Sequence, residues 1–169
     1  MASSSSSVLV APSRALQLAA SAKLVAVLGA RTDANRSRPA FYVAEFLSND
    51  GVEIIPLPVR PEEGTFPGGA KPLLGGLSAL SSLPKRVDVL CCFRRPEDLP
   101  SAEEVIAARP RVLWLQSGIR NPALEEAVAR SGGGGGDANS GAAADDDKIL
   151  VVANRCMKLD RAAAKASRM

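Results

Sequence analysis

Residues 24–29 read LVAVLG, a continuous run of aliphatic side chains that ends in glycine. A short apolar run without alternation is typical of a β-strand that is buried on both faces. A polar loop follows, and residues 39–49 form a predicted helix with proline in its first turn. Gly51 ends this helix, and the sequence VEIIPL at 52–57 is predicted as a second strand. Strand, helix and strand in this order form the unit of a parallel sheet.

The same alternation continues along the rest of the chain. Further strands are predicted at 87–92, 112–115 and 149–153, with a short edge strand near 71–74. Helices are predicted at 14–22 and 77–83, between Ser101 and Pro110, from Pro122, and after Cys156. The pattern predicts an α/β fold, a Rossmann-like doubly wound parallel sheet in a single three-layer domain. Such sheets bind ligands beyond the carboxyl ends of their strands, so the loops at that edge are the candidate site.

The predicted domain covers residues 13–160. Residues 1–12 are expected to be a disordered N-terminal segment, and residues 161–169 a basic C-terminal tail. Residues 131–147 consist mainly of glycine, alanine and aspartate, and they offer no large apolar side chain to bury. We therefore expect this segment to be a flexible loop inserted in the domain.

The composition excludes several kinds of chemistry. The chain of 169 residues contains no histidine, which excludes His-based catalytic triads and His-ligated zinc. No apolar run approaches the roughly 20 residues that a membrane helix needs. The net charge of +3 originates in residues 155–169, which hold five basic side chains and one acidic one. Because no broad basic face is predicted, we expect neither a nucleic-acid nor a membrane partner.

The cysteines bear on the cellular location. There are three, and two of them, Cys91 and Cys92, are neighbours whose side chains point to opposite faces of a strand. This arrangement makes no disulfide framework and favours a reducing compartment, which we take to be the cytoplasm. The serine-rich start of the chain keeps a plastid location open as the alternative.

The loop after the first strand is a candidate anion site. It carries Arg31, Arg36 and Arg38 and leads into the start of a helix. Free backbone amides and the helix dipole favour an anion there. The loop has one glycine where a dinucleotide fingerprint has three, so a polar loop with solvated arginines stays open as the other interpretation.

The end of the second strand argues against NAD. An NAD-binding protein needs an acidic side chain there for the ribose hydroxyls, and this chain has Pro58, Val59 and Arg60. The position favours a ligand with an additional phosphate.

The loops after the remaining strands add further candidates. Phe93 and Arg94 follow the third strand and offer a ring and a guanidinium, although Glu97 and Asp98 are placed to neutralise the arginines of this turn. Cys156 follows the last strand, where a helix start and a neighbouring arginine would lower a thiol pKa. A small buried residue at a helix start is the other interpretation of this cysteine.

The motifs at the strand ends resemble those of the small CoA-binding domain proteins, whose domain is similar to the CoA-binding domain of the succinyl-CoA synthetase alpha subunit. The matching blocks are VAVLGA (25–30), RPAFYVAEFL (38–47), VEIIP (52–56), VDVLCCFRRPEDLP (87–100), VLWLQSGI (112–119) and VVANRCMK (151–158). The resemblance implies a parallel sheet ordered 3-2-1-4-5-6, counting the short strand near Lys71, with CoA lying across the strand ends.

The resemblance also implies which residues hold CoA or acyl-CoA. They are Gly29, Ala30, Arg31, Arg38 and Pro39 at the pyrophosphate, Phe93 and Arg94 at the adenine or phosphorylated ribose, and Gln116, Gly118, Arg155 and Cys156 along the pantetheine. Two departures from the family pattern concern the ligand. Arg31 stands where the family usually has serine, and Leu57, Pro58 and Val59 replace the usual Val-Asn-Pro.

The expected function is non-catalytic binding of CoA or acyl-CoA at the carboxyl edge of the sheet, as a sensor or a partner subunit. An NADP-type redox or regulatory protein is the alternative, because Arg60 would tolerate the additional phosphate. A subunit of an acyl-CoA ligase would need a partner chain to supply the missing histidine. No catalytic residue and no metal site is predicted, and a homodimer or a complex with a partner subunit stays open.

Overall fold

The computed structural model describes residues 8–131 and 148–167. Its strands are β1 (Leu24–Leu28), β2 (Glu53–Leu57), β3 (Val89–Cys92), β4 (Val112–Leu115) and β5 (Leu150–Val152). Its α-helices are α1 (Pro12–Ser21), α2 (Pro39–Asn49), α3 (Ala102–Ala108), α4 (Pro122–Ser131) and α5 (Met157–Ala166). Residues 1–7 of the predicted N-terminal segment, 132–147 of the predicted loop and 168–169 of the predicted tail lie outside the described residues.

The strands form one parallel sheet in the order β2-β1-β3-β4-β5. The first strand in the chain, β1, is followed by β2 on one side of it, and the chain then crosses to β3 on the other side of β1. The predicted doubly wound topology is confirmed. The direction of winding reverses between β1 and β3, so the crevice at the carboxyl ends of these two strands is where such sheets bind ligands.

The predicted edge strand near Lys71 is wrong. Residues 71–74 are irregular, and one backbone hydrogen bond, from Leu73 N to Pro56 O at 2.9 Å, joins them to β2. Proline has no N–H to donate to a strand ladder, and there is one in each of the two segments, Pro56 and Pro72. The two segments therefore cannot extend this single bond into a ladder.

Side chains alternate between two helical layers, which gives the predicted three-layer domain. One face of the sheet packs on α1, α2 and α5, and the other packs on α3, α4 and a 3-10 helix at Gly76–Ser82. The short helix predicted at 77–83 is this 3-10 helix. Cys91 lies on the first face and Cys92 on the second, as alternation along a strand requires.

Helix α5 continues past the boundary that the sequence suggested at residue 160. Arg161, expected in a basic tail, is only 6% exposed. Its Nη1 donates to the carbonyl oxygens of Ala19 (2.7 Å), Ala20 (3.2 Å) and Ala22 (3.1 Å), at the end of α1. Its Nε donates to Asp50 Oδ2 at 2.6 Å. The sequence pattern missed this role because the partners are more than 100 residues away.

No helix in residues 8–131 and 148–167 has both the length and the apolar character needed to cross a membrane.

Candidate functional site

Three loops converge on Gly29, which follows β1. Its N–H donates to Leu57 O at the end of β2, at 2.9 Å. A Cβ at this position would lie 2.8 Å from Phe93 O and 3.3 Å from Arg94 Cδ, and the backbone has φ +85°. Glycine is therefore required both by the conformation and by the close approach of the loop after β3. The ends of β1, β2 and β3 consequently form one continuous edge.

A cleft of about 610 Å³ opens beside this edge, on the side of the sheet that α3 covers. It is lined mainly by apolar residues and by two glycines, and its polar side chains are one arginine, one serine and three carboxylates. The lining consists of Leu28, Val59, Gly75, Gly76, Leu77, Ser78, Arg94, Asp98, Leu99, Pro100, Glu103, Glu104 and Ala107. Its volume falls within the range of sites for small organic ligands.

Two of the carboxylates in the lining are already engaged. Asp98 Oδ2 accepts from Arg95 Nε at 2.8 Å, and Glu104 Oε2 accepts from Ser101 N at 3.0 Å in the predicted capping box of α3. Arg95 also lies 3.5 Å from a Glu97 oxygen, and these hydrogen bonds and charges raise its pKa. The acids of this turn therefore neutralise Arg95, whereas Arg94 beside it is left without an acidic partner in the part of the chain that the structure describes.

Arg94 is half-buried in the cleft wall and has no ion-pair partner among the described residues. Arg38 and Arg60, both exposed, likewise make no ion pair within the described ranges. Unpaired guanidinium groups at the carboxyl edge are suited to phosphate binding. Phe93 differs from this group, because its ring packs on the side of the sheet that faces α1, α2 and α5. Arg94, and not Phe93, contributes to the cleft.

Helix α2 begins at the same edge. Arg38 is its N-cap residue and makes no capping hydrogen bond with its side chain, and Pro39 has no N–H. The amides of Phe41 and Tyr42 already donate to Arg38 O, at 2.9 and 3.0 Å. Ala40 is therefore the residue of the first turn whose amide is placed to meet an anion.

Arg31 is held by an acid that sequence analysis missed. Its Nε lies 3.2 Å from Glu62 Oε2, and the side chain is 21% exposed. Burial alone would raise the pKa of Glu62, but hydrogen bonds from the Thr32 amide, Asn35 and the Thr32 hydroxyl, together with the charge of Arg31, lower it below 4.5. The sequence contains this acid close by, in Arg60-Pro61-Glu62, but it lies beyond the strand end at which an NAD site places its acid.

The predicted residues after β4 and β5 are largely engaged in the fold. Gln116 is buried and donates from Nε2 to Cys91 Sγ at 2.8 Å. Arg155 makes a two-bond ion pair with Asp160, at 2.6 and 2.9 Å, which raises the pKa of the arginine. Gly118 N donates to the side chain of Asn154 at 2.7 Å.

Cys156 is half-buried at the start of α5. It lies at the carboxyl edge, on the far side of β3 and β4 from the cleft strand β1. The sequence-predicted residues therefore fall into two groups. Gly29, Ala30, Arg31, Arg38, Pro39, Phe93 and Arg94 surround the ends of β1 and β3, and Gln116, Gly118, Arg155 and Cys156 follow β4 and β5.

The described ranges contain no cluster of three or more acids, cysteines or histidines that would hold a metal ion.

The strand order and the cleft together define the class of protein. It is a doubly wound α/β domain with a ligand-sized cleft at the carboxyl ends of the strands where the direction of winding reverses. A family profile described as a CoA binding domain matches residues 23–162. The chain belongs to this CoA-binding domain family.

Solved structures share this fold. The chain is similar to the cell-free ID.343 protein of Thermus thermophilus, with 32% identity and a TM-score of 0.70 over 92% of this chain and 99% of that one. It also resembles a hypothetical protein from Pyrococcus horikoshii OT3, with 21% identity and a TM-score of 0.65 over 92% of this chain and 93% of that one. The second likeness concerns the fold alone.

Proposed function

We propose that the protein binds CoA or acyl-CoA without chemically transforming it, and acts as a sensor or as a partner subunit. The observation that carries this proposal is the cleft beside β1, whose wall contains the unpaired Arg94. CoA carries a phosphate on its adenosine ribose, and a guanidinium without an ion-pair partner suits such a group. The apolar side chains of Val59 and Leu99 would pack on the purine.

The pyrophosphate would lie at the start of α2. The uncapped first turn and the exposed side chain of Arg38 support this placement. From there the pantetheine arm would run along the edge toward Gly118 and Cys156, which follow the next strands. The side chains of Gln116 and Arg155 are bonded within the fold, so we assign them to the support of this edge and not to direct contacts with the ligand.

The three free cysteines fit a reducing compartment, and we propose the cytoplasm as the location. As a sensor or a partner subunit, the protein would deliver its signal by contact with another protein or with a second copy of itself.

Titration calorimetry of the purified full chain with CoA, dephospho-CoA, NADP and NAD tests the proposal. NADP is the informative competitor because it also carries a phosphate on the adenosine ribose. We expect CoA to bind most tightly and dephospho-CoA about tenfold more weakly, since a charge-assisted hydrogen bond is lost. Tighter binding of NADP would replace the proposal with the redox alternative, and no binding of CoA would overturn it.

A further inference from the structure

We propose that Glu62 is a positioning residue, which fixes the loop between β1 and α2 (residues 30–38, the phosphate loop) for the ligand and does not itself contact the ligand. This inference rests on the proposed function, and it gives a structural reason why the site would favour CoA over NAD.

The carboxylate of Glu62 is surrounded by donors from the phosphate loop. Its Oε1 accepts from the Thr32 amide at 2.9 Å and from Asn35 Nδ2 at 2.7 Å, and it lies 2.9 Å from the Thr32 hydroxyl. That hydroxyl, whose single hydrogen serves one acceptor at a time, also contacts Glu63 O. Oε2 faces Arg31 Nε at 3.2 Å, and the Glu62 side chain is only 11% exposed. The Glu62 side chain therefore holds three residues of the phosphate loop, namely Arg31, Thr32 and Asn35.

A second set of hydrogen bonds, next to Glu62, also holds the phosphate loop. Asp33 N donates to Thr65 O, and Thr65 N donates to Asp33 Oδ1, each at 3.0 Å. The chain between them approaches so closely that a Cβ on Gly64 would collide with Asp33 Oδ1 and lie 2.9 Å from Thr32 Oγ1. Residues 62–65 thus lie across the phosphate loop and hold it in place, and Glu62 supplies the charged side chain of this segment.

This arrangement has a consequence for selectivity. In an NAD site, an acid after the second strand accepts the ribose hydroxyls. Here the acid that follows β2 is engaged by the protein's own loop, since Oε1 accepts the hydrogen bonds of that loop and Oε2 lies beside the charge of Arg31. It also pairs with Arg31, which leaves the unpaired Arg38, Arg60 and Arg94 to meet the phosphates.

Three variants separate positioning from charge. Glu62→Ala removes both, Glu62→Gln removes the charge but keeps an oxygen for the Thr32 and Asn35 donors, and Glu63→Ala removes an exposed neighbouring charge. We expect Glu62→Ala to weaken CoA binding about tenfold, because misplacement of a binding group by about an ångström costs at least that much. Glu62→Gln is expected to bind as tightly as the unmodified protein or more tightly, and Glu63→Ala to change affinity less than about twofold.

The ratio of CoA to dephospho-CoA affinity should not change in Glu62→Ala, since both ligands carry the pyrophosphate that the loop meets. Equal weakening by Glu62→Ala and Glu62→Gln would overturn the inference, as would affinity in Glu62→Ala equal to or above that of Glu63→Ala. Should Glu62→Ala fail to fold, Asn35→Ala removes one hydrogen bond between the phosphate loop and Glu62, and a several-fold weakening of CoA binding is then expected. Unchanged affinity in Asn35→Ala would count against the inference.

Hydrogen exchange of the Thr32 amide provides a readout that does not depend on CoA. This amide donates to Glu62 Oε1 and should exchange faster in Glu62→Ala than in Glu63→Ala, with little change at the buried amides of β3. Unchanged exchange at Thr32 would contradict the positioning role even if CoA binds. If the unmodified protein binds no CoA but the Thr32 amide exchanges as expected, the proposed function is wrong and the role of Glu62 in fixing the phosphate loop is still supported.

Discussion

Gly29 is important both for the fold and for the candidate site, because its lack of a side chain lets the loop after β3 approach the end of β1. We expect Gly29→Ala to lower the free energy of unfolding by about 2 kcal/mol or more, from the positive φ and the clash with Phe93 O together. Gly51→Ala is the matched control, since Gly51 has φ +91° and no atom within 4 Å of an added Cβ. Chemical denaturation of both variants measures the difference, and equal losses would show that the close approach is unimportant.

The cysteines differ in their environment in a way that thiol labelling detects. Burial raises the pKa of Cys92 to about 12 and that of Cys91 well above 9.0. Both are therefore protonated and shielded at neutral pH, whereas Cys156 is half-buried at the edge. We expect a thiol reagent at pH 8 to modify Cys156 in the folded protein and the other two only in denaturant. Rapid modification of all three would contradict the burial of the β3 thiols.

Residues differ in how far the sequence could predict them. Gly29 and Arg94 were predicted because each directly follows an apolar run, so the chain itself places them at the sheet edge. The role of Glu62 was not predicted, because it depends on two loops about 30 residues apart meeting in space. Arg155 was predicted as a ligand contact, yet its partner Asp160 lies one turn into the following helix and could have been noticed.

At the scale of elements, α5 is attached to α1 and α2 by a buried arginine. Arg161→Ala leaves the last carbonyls of α1 without their donor and removes one of the two cations at Asp50, which keeps Lys165. We expect a loss of about 3 kcal/mol in the free energy of unfolding, because the buried carbonyl oxygens at the end of α1 are left without a hydrogen-bond donor. Arg130→Ala, which removes an exposed pair within α4, should cost less than about 0.5 kcal/mol. Thermal denaturation of both variants tests this, and comparable losses would mean that Arg161 is dispensable.

The same cluster predicts a pH dependence. Hydrogen bonds from Lys165 and Arg161 lower the pKa of Asp50 below 3.8 in the folded protein. A depressed carboxyl pKa contributes stability above the unfolded value and loses it as the pH falls through the folded value. Asp50→Asn should therefore cost about 1 kcal/mol at pH 7, and the cost should shrink below about pH 4. A cost that stays constant down to pH 2 would show that the charge of Asp50 is not what matters.

Element boundaries followed the sequence where local signals are strong. The capping box at Ser101 and the proline at the start of α2 formed as predicted. The edge strand near Lys71 did not form, since a local apolar pattern takes no account of whether the partner strand has donors to offer. Pro56 in β2 and Pro72 next to Leu73 each lack an N–H, and the contact is a single bond.

At the scale of the whole molecule, the doubly wound fold was predictable from the sequence pattern and the strand order was implied by the family resemblance, whereas the position of the cleft was not predictable. Continuous apolar runs separated by helical segments permit few arrangements other than a doubly wound parallel sheet. They do not reveal that the cleft lies on the α3 side of the sheet, because that depends on the loop at 71–76 and on which way each side chain turns after β3. Phe93 and Arg94, neighbours in sequence, consequently serve opposite layers.

We propose that Arg94 in the cleft meets the phosphate on the adenosine ribose of CoA. The most direct measurement is a cycle of calorimetric affinities for CoA and dephospho-CoA in the unmodified protein, Arg94→Ala and Arg95→Ala. Arg94→Ala should weaken CoA about tenfold or more and leave dephospho-CoA within about twofold, while Arg95→Ala should change neither. Equal weakening of both ligands by Arg94→Ala, or no weakening of either, would contradict the claim.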